Sequence, residues 1–238
     1  MKMKLRNLAL IPARGGSKRI PRKNIRDFFG RPIISYSIEA AIKTFLFDEI
    51  IVSTDDLEIK SIATSYGAKV PFLRSAKNSN DYATIRDVLL EVIHEYKKIN
   101  VYFDYVCVIY PTAVLITPEK LNSAYNLMME KRAKGIVSIM RFNYPIQRAL
   151  RMKENANIEF VYPEYLDKRS QDLDIFYHDA GQFFWRDVKA FIDEKQLFGE
   201  KVLGYELKEM EAHDIDTEED WQILKIKYLI MKGKIKLD

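Results

Sequence analysis

The stretch Leu8-Ala-Leu-Ile-Pro-Ala-Arg-Gly-Gly-Ser-Lys18, continued by Lys23-Asn24-Ile25, decides how this sequence is read. Asn7 to Ile11 is a short apolar run closed by Pro12, the pattern of a buried strand. A basic, glycine-containing loop follows. Paired glycines at 15 and 16 let backbone N–H groups turn toward an anion with no Cβ in the way. Ser17 adds a hydroxyl donor, and Arg14, Lys18 and Lys23 add positive charge. In composition this is a cradle for a polyphosphate, although a solvated basic loop has the same composition. It is neither a P-loop nor a dinucleotide fingerprint, because G-x-x-x-x-G-K-[ST] and G-x-G-x-x-G are both absent.

Downstream, strand and helix alternate. Pro32 sits where a helix begins, followed by Ile33, Ile34, Tyr36, Ile38, Ala41 and Ile42. Glu49 to Ser53 reads as a strand that stops at Thr54-Asp-Asp56, and Asp56 to Tyr66 as a helix closed by Gly67. Helices over Ile85–Tyr96 and Pro118–Arg132 flank a strand at Tyr105–Tyr110, and Gly135–Met140 is a further strand. This order predicts an α/β fold with a mostly parallel sheet. Ligands of such sheets bind beyond the carboxyl ends of the strands, which gathers Pro12–Asn24, Thr54–Asp56 and Tyr110–Thr112 around one crevice. From Arg141 to Trp185 the sequence is polar, rich in Tyr, Asn and Arg, and lacks helical periodicity, as an insertion would. Lys201–Leu207 returns to strand-like sequence. Thr217–Met231 reads as a last helix, capped by Thr217, with Glu218, Glu219 and Asp220 in its first turn.

The bulk properties exclude several classes. The 238 residues are 47% hydrophobic and 30% charged, the balance of an ordinary globular domain. No apolar run spans a bilayer, and no signal-like segment follows the basic start, so a cytoplasmic protein without membrane association is expected. The lone Cys107 lies in an apolar run and reads as core. A net charge of +4 is modest but uneven. Arg14, Lys18, Arg19, Arg22, Lys23, Arg26 and Arg31 stand against one acid, Asp27, which points to a small anionic ligand. The same basic loop, joined by the basic stretch Lys225–Lys236, suits a non-catalytic RNA- or polyanion-binding protein.

A second pattern separates these readings. In an extended Asp214-Ile-Asp216, both carboxylates share one face while Ile215 packs inward. Mg²⁺ is commonly held by one or two carboxylates plus phosphate oxygens. Alone, the pattern is also that of a surface pair. His94, His178 and His213 have no zinc-site spacing with Cys107.

Together these motifs resemble the acylneuraminate cytidylyltransferases, which make CMP-activated sialic acids. The resemblance rests on IPARGGSK with the following KN, on IIVSTDD at 50–56, on Leu73-Arg74 and on HDIDT at 213–217, and so runs along nearly the whole chain. It implies a Rossmann-like nucleotidyltransferase fold with helices on both sheet faces, as one domain over 1–238 with a small sugar-binding and dimerisation insertion at about 141–180. It implies CTP and a nine-carbon 2-keto sugar acid as substrates, Mg²⁺ with Mn²⁺ as a substitute, a homodimer, and no nucleic acid. By family position, Ala13, Arg14, Gly15, Gly16, Ser17, Lys18, Lys23 and Asn24 would hold the nucleotide, bordered by Arg74, Ala83 and Thr84. Asp214 and Asp216 would hold the metal, and Lys23, Asp216 and Arg14 would carry catalysis. Tyr110, Arg169, Gln171, Tyr177, His178 and Gln182 would meet the sugar. No separate general base is evident.

Three departures bear on the sugar. Asp174 stands where sialic acid enzymes tend to have Pro, Ala180-Gly181 replaces an Asn-Gly pair, and Tyr110-Pro-Thr-Ala replaces Gln-Pro-Thr-Ser. The string YHDAGQF at 177–183 resembles the pseudaminic acid branch, with N-acetylneuraminate and legionaminate as alternatives. Tyr110, Phe183 and Phe184 are candidates for an apolar wall against a sugar with fewer hydroxyls, or for plain core.

Overall fold

The computed structural model describes residues 5–235; the basic start Met1–Lys4 and Lys236 of the basic tail lie outside it. Six strands form the main sheet. They are β1 (Asn7–Pro12), β2 (Glu49–Ser53), β3 (Tyr105–Ile109), β4 (Gly135–Arg141), β7 (Tyr177–Asp187) and β8 (Val202–Glu206), in spatial order β2-β1-β3-β7-β4-β8. β1 pairs parallel with β2 and β3, and β4 parallel with β8. Only β7 runs against its neighbours, pairing with β3 and β4. The sheet is mostly parallel, as the alternation predicts.

Helices cover both faces. On one side, α1 (Ile34–Thr44), α2 (Leu57–Ser65) and α4 (Pro118–Glu130) bury Ile38, Ala63 and Leu121 against Ala9, Ile11 and Cys107. On the other, α3 (Ile85–Lys98) and α5 (Val188–Glu194) bury Leu89, Val92 and Phe191 against Leu8, Leu10 and Val108. The period-2 alternation of β1 sends neighbouring side chains into opposite layers. The last helix, α6 (Glu218–Met231), forms a third cluster in which Trp221 and Leu224 meet Ile20, Phe28 and Ile33. Arg26 reinforces that joint, stacking its guanidinium 4.5 Å from the Trp221 ring and pairing with Glu218 at 2.6 Å.

Local signals account for the helix ends. Asp56, Thr84, Thr117 and Thr217 cap the helices that follow them, the second and fourth as full capping boxes. Gly67, at φ +93°, follows the end of α2.

Two elements depart from the sequence reading. β7 is a core strand where an insertion was read as far as Trp185, and α5 was not anticipated. Tyr177–Gly181 is polar because it projects beyond Ile109, the last paired residue of β3. Gln182 to Arg186 is buried, and Phe184 to Arg186 pair on both sides, with β3 and with β4. Phe183 and Phe184 point into opposite layers at 1% and 3% exposure, so they are core residues and not a sugar wall. The true excursion between β4 and β7 carries the short antiparallel pair β5 (Leu150–Met152) and β6 (Ile158–Phe160) with several 3-10 turns. Cys107 is fully buried, and burial pushes its thiol well above the ordinary value. Among the described residues no helix is long and apolar enough to cross a membrane.

Candidate active site

The loops at the carboxyl ends of β1 and β3 enclose a cavity of about 330 Å³. Its walls come from Arg14, Ser17, Lys18, Arg19, Lys23 and Asn24 after β1, from Arg74, Asp81, Ala83 and Thr84 before α3, from Tyr110 and Thr112 after β3, and from Asp214 and Asp216 before α6. This is the crevice that a parallel sheet provides.

The basic cluster divides. Arg22, Arg26 and Arg31 serve the scaffold: Arg22 forks onto Asp56, Arg26 meets α6, and Arg31 pairs with Glu39 at 2.8 Å over the Tyr36 ring. Arg14, Lys18, Arg19 and Lys23 face the cavity. There they meet acids of the protein itself. Arg14 and Lys18 both engage Asp81, the first at 2.9 Å, and Arg19 engages Asp216 at 2.7 Å. Neither Arg19 nor Asp81 was singled out from sequence. Arg19 was counted in the cluster without a role, and nothing local marks Asp81, whose partners lie more than sixty positions away.

Lys23 occupies the centre. Its Nζ donates to the Ile215 carbonyl at 2.6 Å, and burial pulls its pKa below the ordinary value against the opposing charges of Asp214 and Asp216. Asn24 is buried and donates to the Arg14 carbonyl at 3.0 Å, which locks the loop. Arg74, also buried, donates to Ser53 Oγ at 3.0 Å and to the Ser53 carbonyl; burial brings its pKa down to about 10. The Thr84 hydroxyl caps α3 and donates to Asp87 at 2.6 Å. Of the two glycines, Gly15 is the constrained one: a Cβ there would come 2.7 Å from Asp56 Oδ2, whereas one on Gly16 would meet nothing within 4 Å. The Gly15 amide donates to Asp55 at 2.9 Å.

Asp214 and Asp216 both line the cavity while Ile215 is fully buried beneath them. His213 faces Asp220, 3.5 Å away, and burial lowers its pKa. The two aspartates are hard oxygen donors on the side where the cationic loop lies, Asp216 pairing there with Arg19 and Asp214 accepting from the Ile215 amide at 2.9 Å. Among the described residues no three His, Cys, Asp or Glu side chains cluster as a metal site. A pair of carboxylates completed by phosphate oxygens and water fits a cation such as Mg²⁺.

The residues anticipated for the sugar are dispersed. Tyr110 lines the cavity, and burial raises its pKa. Arg169 is exposed and forks onto Asp172 at 2.7 and 3.1 Å. Gln171 and Tyr177 are exposed, and His178 turns Nδ1 to the Asp179 carbonyl at 2.8 Å; none of these four lines the cavity. Gln182 is buried and bonded to backbone carbonyls. Asp179 was passed over, although its pKa is raised by burial and by the charge of Asp214.

Residues 8–228 match the family described as cytidylyltransferase. The chain belongs to that family. It is 42% identical over 226 residues to the pseudaminic acid cytidylyltransferase of Campylobacter jejuni subsp. jejuni serotype O:2, covering 95% of this chain and 97% of that one. It is 32% identical over 226 residues to the CMP-N,N'-diacetyllegionaminic acid synthase of Legionella pneumophila subsp. pneumophila, covering 92% and 94%. The structure of CMP:2-keto-3-deoxy-manno-octonic acid synthetase complexed with CTP superposes with a TM-score of 0.69 at 17% identity, over 97% of this chain and all of that one. That likeness shows a shared nucleotidyltransferase fold. Membership makes the chain a nucleotidyltransferase enzyme.

Proposed function

We propose that this cytidylyltransferase couples CMP from CTP to pseudaminic acid and releases pyrophosphate. The observation that carries the reading is the 42% identity to a pseudaminic acid cytidylyltransferase over nearly the full length of both chains. The pocket supports it chemically, because a basic loop and a carboxylate pair converge on one lysine.

The anomeric hydroxyl oxygen of the sugar acid forms a bond to the α-phosphorus of CTP. The bond from that phosphorus to the bridging β-phosphate oxygen breaks, pyrophosphate departs with the bonding electrons, and the hydroxyl proton passes to solvent water. The protein aligns the reactants and stabilises charge. Arg14, Ser17 and Lys18 take the triphosphate, with Arg14 and Lys18 exchanging Asp81 for phosphate oxygens. Lys23 offsets charge on the reacting phosphate. Ala13, Gly15, Gly16 and Asn24 shape the cradle, and Arg74, Ala83 and Thr84 border the cytidine. Asp214 and Asp216 would hold Mg²⁺, which when bound would neutralise charge on the leaving group and lower the pKa of the attacking hydroxyl.

Tyr110 contributes the sugar-side wall. The excursion exposes Leu150, Met152, Ile158, Leu166 and Ile175, each 49% or more exposed, which suits burial in a homodimer. Arg169, Gln171, Tyr177 and His178 gain sugar contacts if that excursion reaches the partner's cleft. A cytoplasmic location follows from the use of CTP.

The test offers pseudaminic, N-acetylneuraminic and N,N'-diacetyllegionaminic acids separately with CTP and Mg²⁺ and follows pyrophosphate release. Release with pseudaminic acid at the highest kcat/KM is expected. Preference for another acid overturns the sugar assignment, and release with none of the three overturns the reaction.

A further inference from the structure

We propose that Gln182 is a positioning residue that sets the Asp214–Asp216 loop for its metal ion. The inference rests on the cytidylyltransferase reading above and moves Gln182 from the sugar to the scaffold of the carboxylate pair.

Residues 212–217 lie between a 3-10 turn and α6 and have no helix or strand of their own. Side chains from elsewhere hold them. Lys227 on α6, buried, donates to the Ala212 carbonyl at 3.0 Å. Gln182 donates from Nε2 to the His213 carbonyl at 3.2 Å, and Lys23 donates to the Ile215 carbonyl at 2.6 Å. The Asp216 amide donates to Asp220 at 3.0 Å. Lys227 ties the loop to its own helix, whereas Gln182 ties it to the central sheet.

Three observations make this tie specific. Gln182 is 1% exposed, so its amide works inside the protein and not on a ligand in solvent. Its backbone carbonyl accepts from the Tyr110 amide at 2.9 Å, so one residue fixes both the cavity wall at Tyr110 and the residue before Asp214. Its neighbour Gly181 has φ +61°, and a Cβ there would come 3.4 Å from Asp214 Cγ, so the Asp214 side chain packs against this turn of β7.

The chemistry calls for an amide. Nε2 faces the carbonyls of Ala180, Gly181 and His213 at 3.0, 3.1 and 3.2 Å. All three are acceptors, which assigns the NH₂ to this side. A carboxylate in its place has only acceptors to offer and is repelled by all three. Loss of the donor frees the His213 carbonyl and with it the direction of the adjoining Asp214.

The test compares Gln182→Met, which keeps length and removes the donors, and Gln182→Asn, which keeps the amide and shortens its reach, with the wild type. Mn²⁺ binding is titrated by electron paramagnetic resonance with CTP present and no sugar acid. Partners that orient metal ligands typically contribute about 10- to 100-fold in metal affinity. A weakening of about tenfold or more is expected for Gln182→Met and a smaller one for Gln182→Asn. Metal-free CTP binding stays within twofold of wild type, and the sugar KM at saturating metal is unchanged. Unaltered Mn²⁺ affinity in either folded variant overturns the proposal. A raised sugar KM at unaltered metal affinity returns Gln182 to the sugar site. Absence of Mn²⁺ binding by the wild type with CTP overturns the proposal as well, through the metal reading of Asp214 and Asp216, and is told apart from a failure at Gln182 because it precedes any substitution.

Discussion

Lys23 has two tasks in one side chain. Its ammonium lies beside both carboxylates and the cationic loop, and it also pins the Ile215 carbonyl. Lys23→Ala therefore removes charge from the reacting phosphate and frees the carboxylate loop together. A fall of about a hundredfold or more in kcat is expected, the scale of losing one oxyanion-stabilising donor. Circular dichroism should show an intact fold, and near wild-type turnover would contradict the assignment. Asp81 gives a prediction of opposite sign. It pairs with Arg14 and Lys18, and in the proposed function it is the internal anion those two leave to meet phosphate. Asp81→Asn removes that competitor, so calorimetry should give a several-fold lower Kd for CTP. An unchanged or higher Kd would mean that Asp81 helps to organise the cradle.

The elements around the site are joined by capping residues that also brace the loop. Asp56 accepts from the Ile59 amide at 2.9 Å as the cap of α2, and receives the fork of Arg22. Arg22 holds its carboxyl down to about 2. Asp56→Ala should cost about 1 kcal/mol from the cap alone, measured by denaturant unfolding. The pH dependence has a defined sign. A carboxyl with a depressed folded-state pKa stabilises fully above its ordinary value of 3.8 and loses that contribution as pH falls through about 2. The stability gap between wild type and Asp56→Ala should be constant near neutral pH, shrink below pH 3.8 as the Arg22 pair is lost, and level off below about pH 2 at what the protonated cap still contributes. A gap unchanged by acid would exclude the Arg22 pair as its source. Gly15 belongs to this joint as well, since the fixed Asp56 leaves no room for a Cβ above it.

At the scale of the whole molecule, one antiparallel strand arranges the chemistry. β7 inserts between β3 and β4 in the reverse direction, so its N-terminal end emerges where the parallel strands finish. That brings Asp179, Gly181 and Gln182 beside Tyr110 and Asp214. The excursion leading into β7 exposes Met152 at 73% and Ile158 at 61%. Burial of such side chains against a second copy contributes about 25 cal/mol per Å² of apolar surface. Sedimentation should give a dimer, and Met152→Glu with Ile158→Glu should shift it toward monomer. A wild-type monomer at working concentration would remove the dimer from the proposal.

The cradle, the caps and the alternation of strand and helix were legible in the sequence, because each depends on neighbours within a few residues. A proline ends β1, glycines and cations crowd the loop behind it, and Asp214-Ile-Asp216 needs only the two-residue period of an extended chain to present both carboxylates. Local pattern and the family resemblance it carries were enough to read an α/β nucleotidyltransferase and to single out the basic loop and the acid pair as candidates. β7 was not legible, because its first half is polar where it runs past the end of β3 with only β4 beside it, and its second half has apolar side chains on both faces instead of alternating. Nor were the partners of the cations, since Arg14, Arg19 and Lys23 meet Asp81, Asp216 and Ile215 across long stretches of chain. Long-range packing sorted the cations into those that face the cavity and those that brace the scaffold. It also turned Gln182 inward, because burial and hydrogen-bond partners are set by the whole packed arrangement and leave no mark in local sequence.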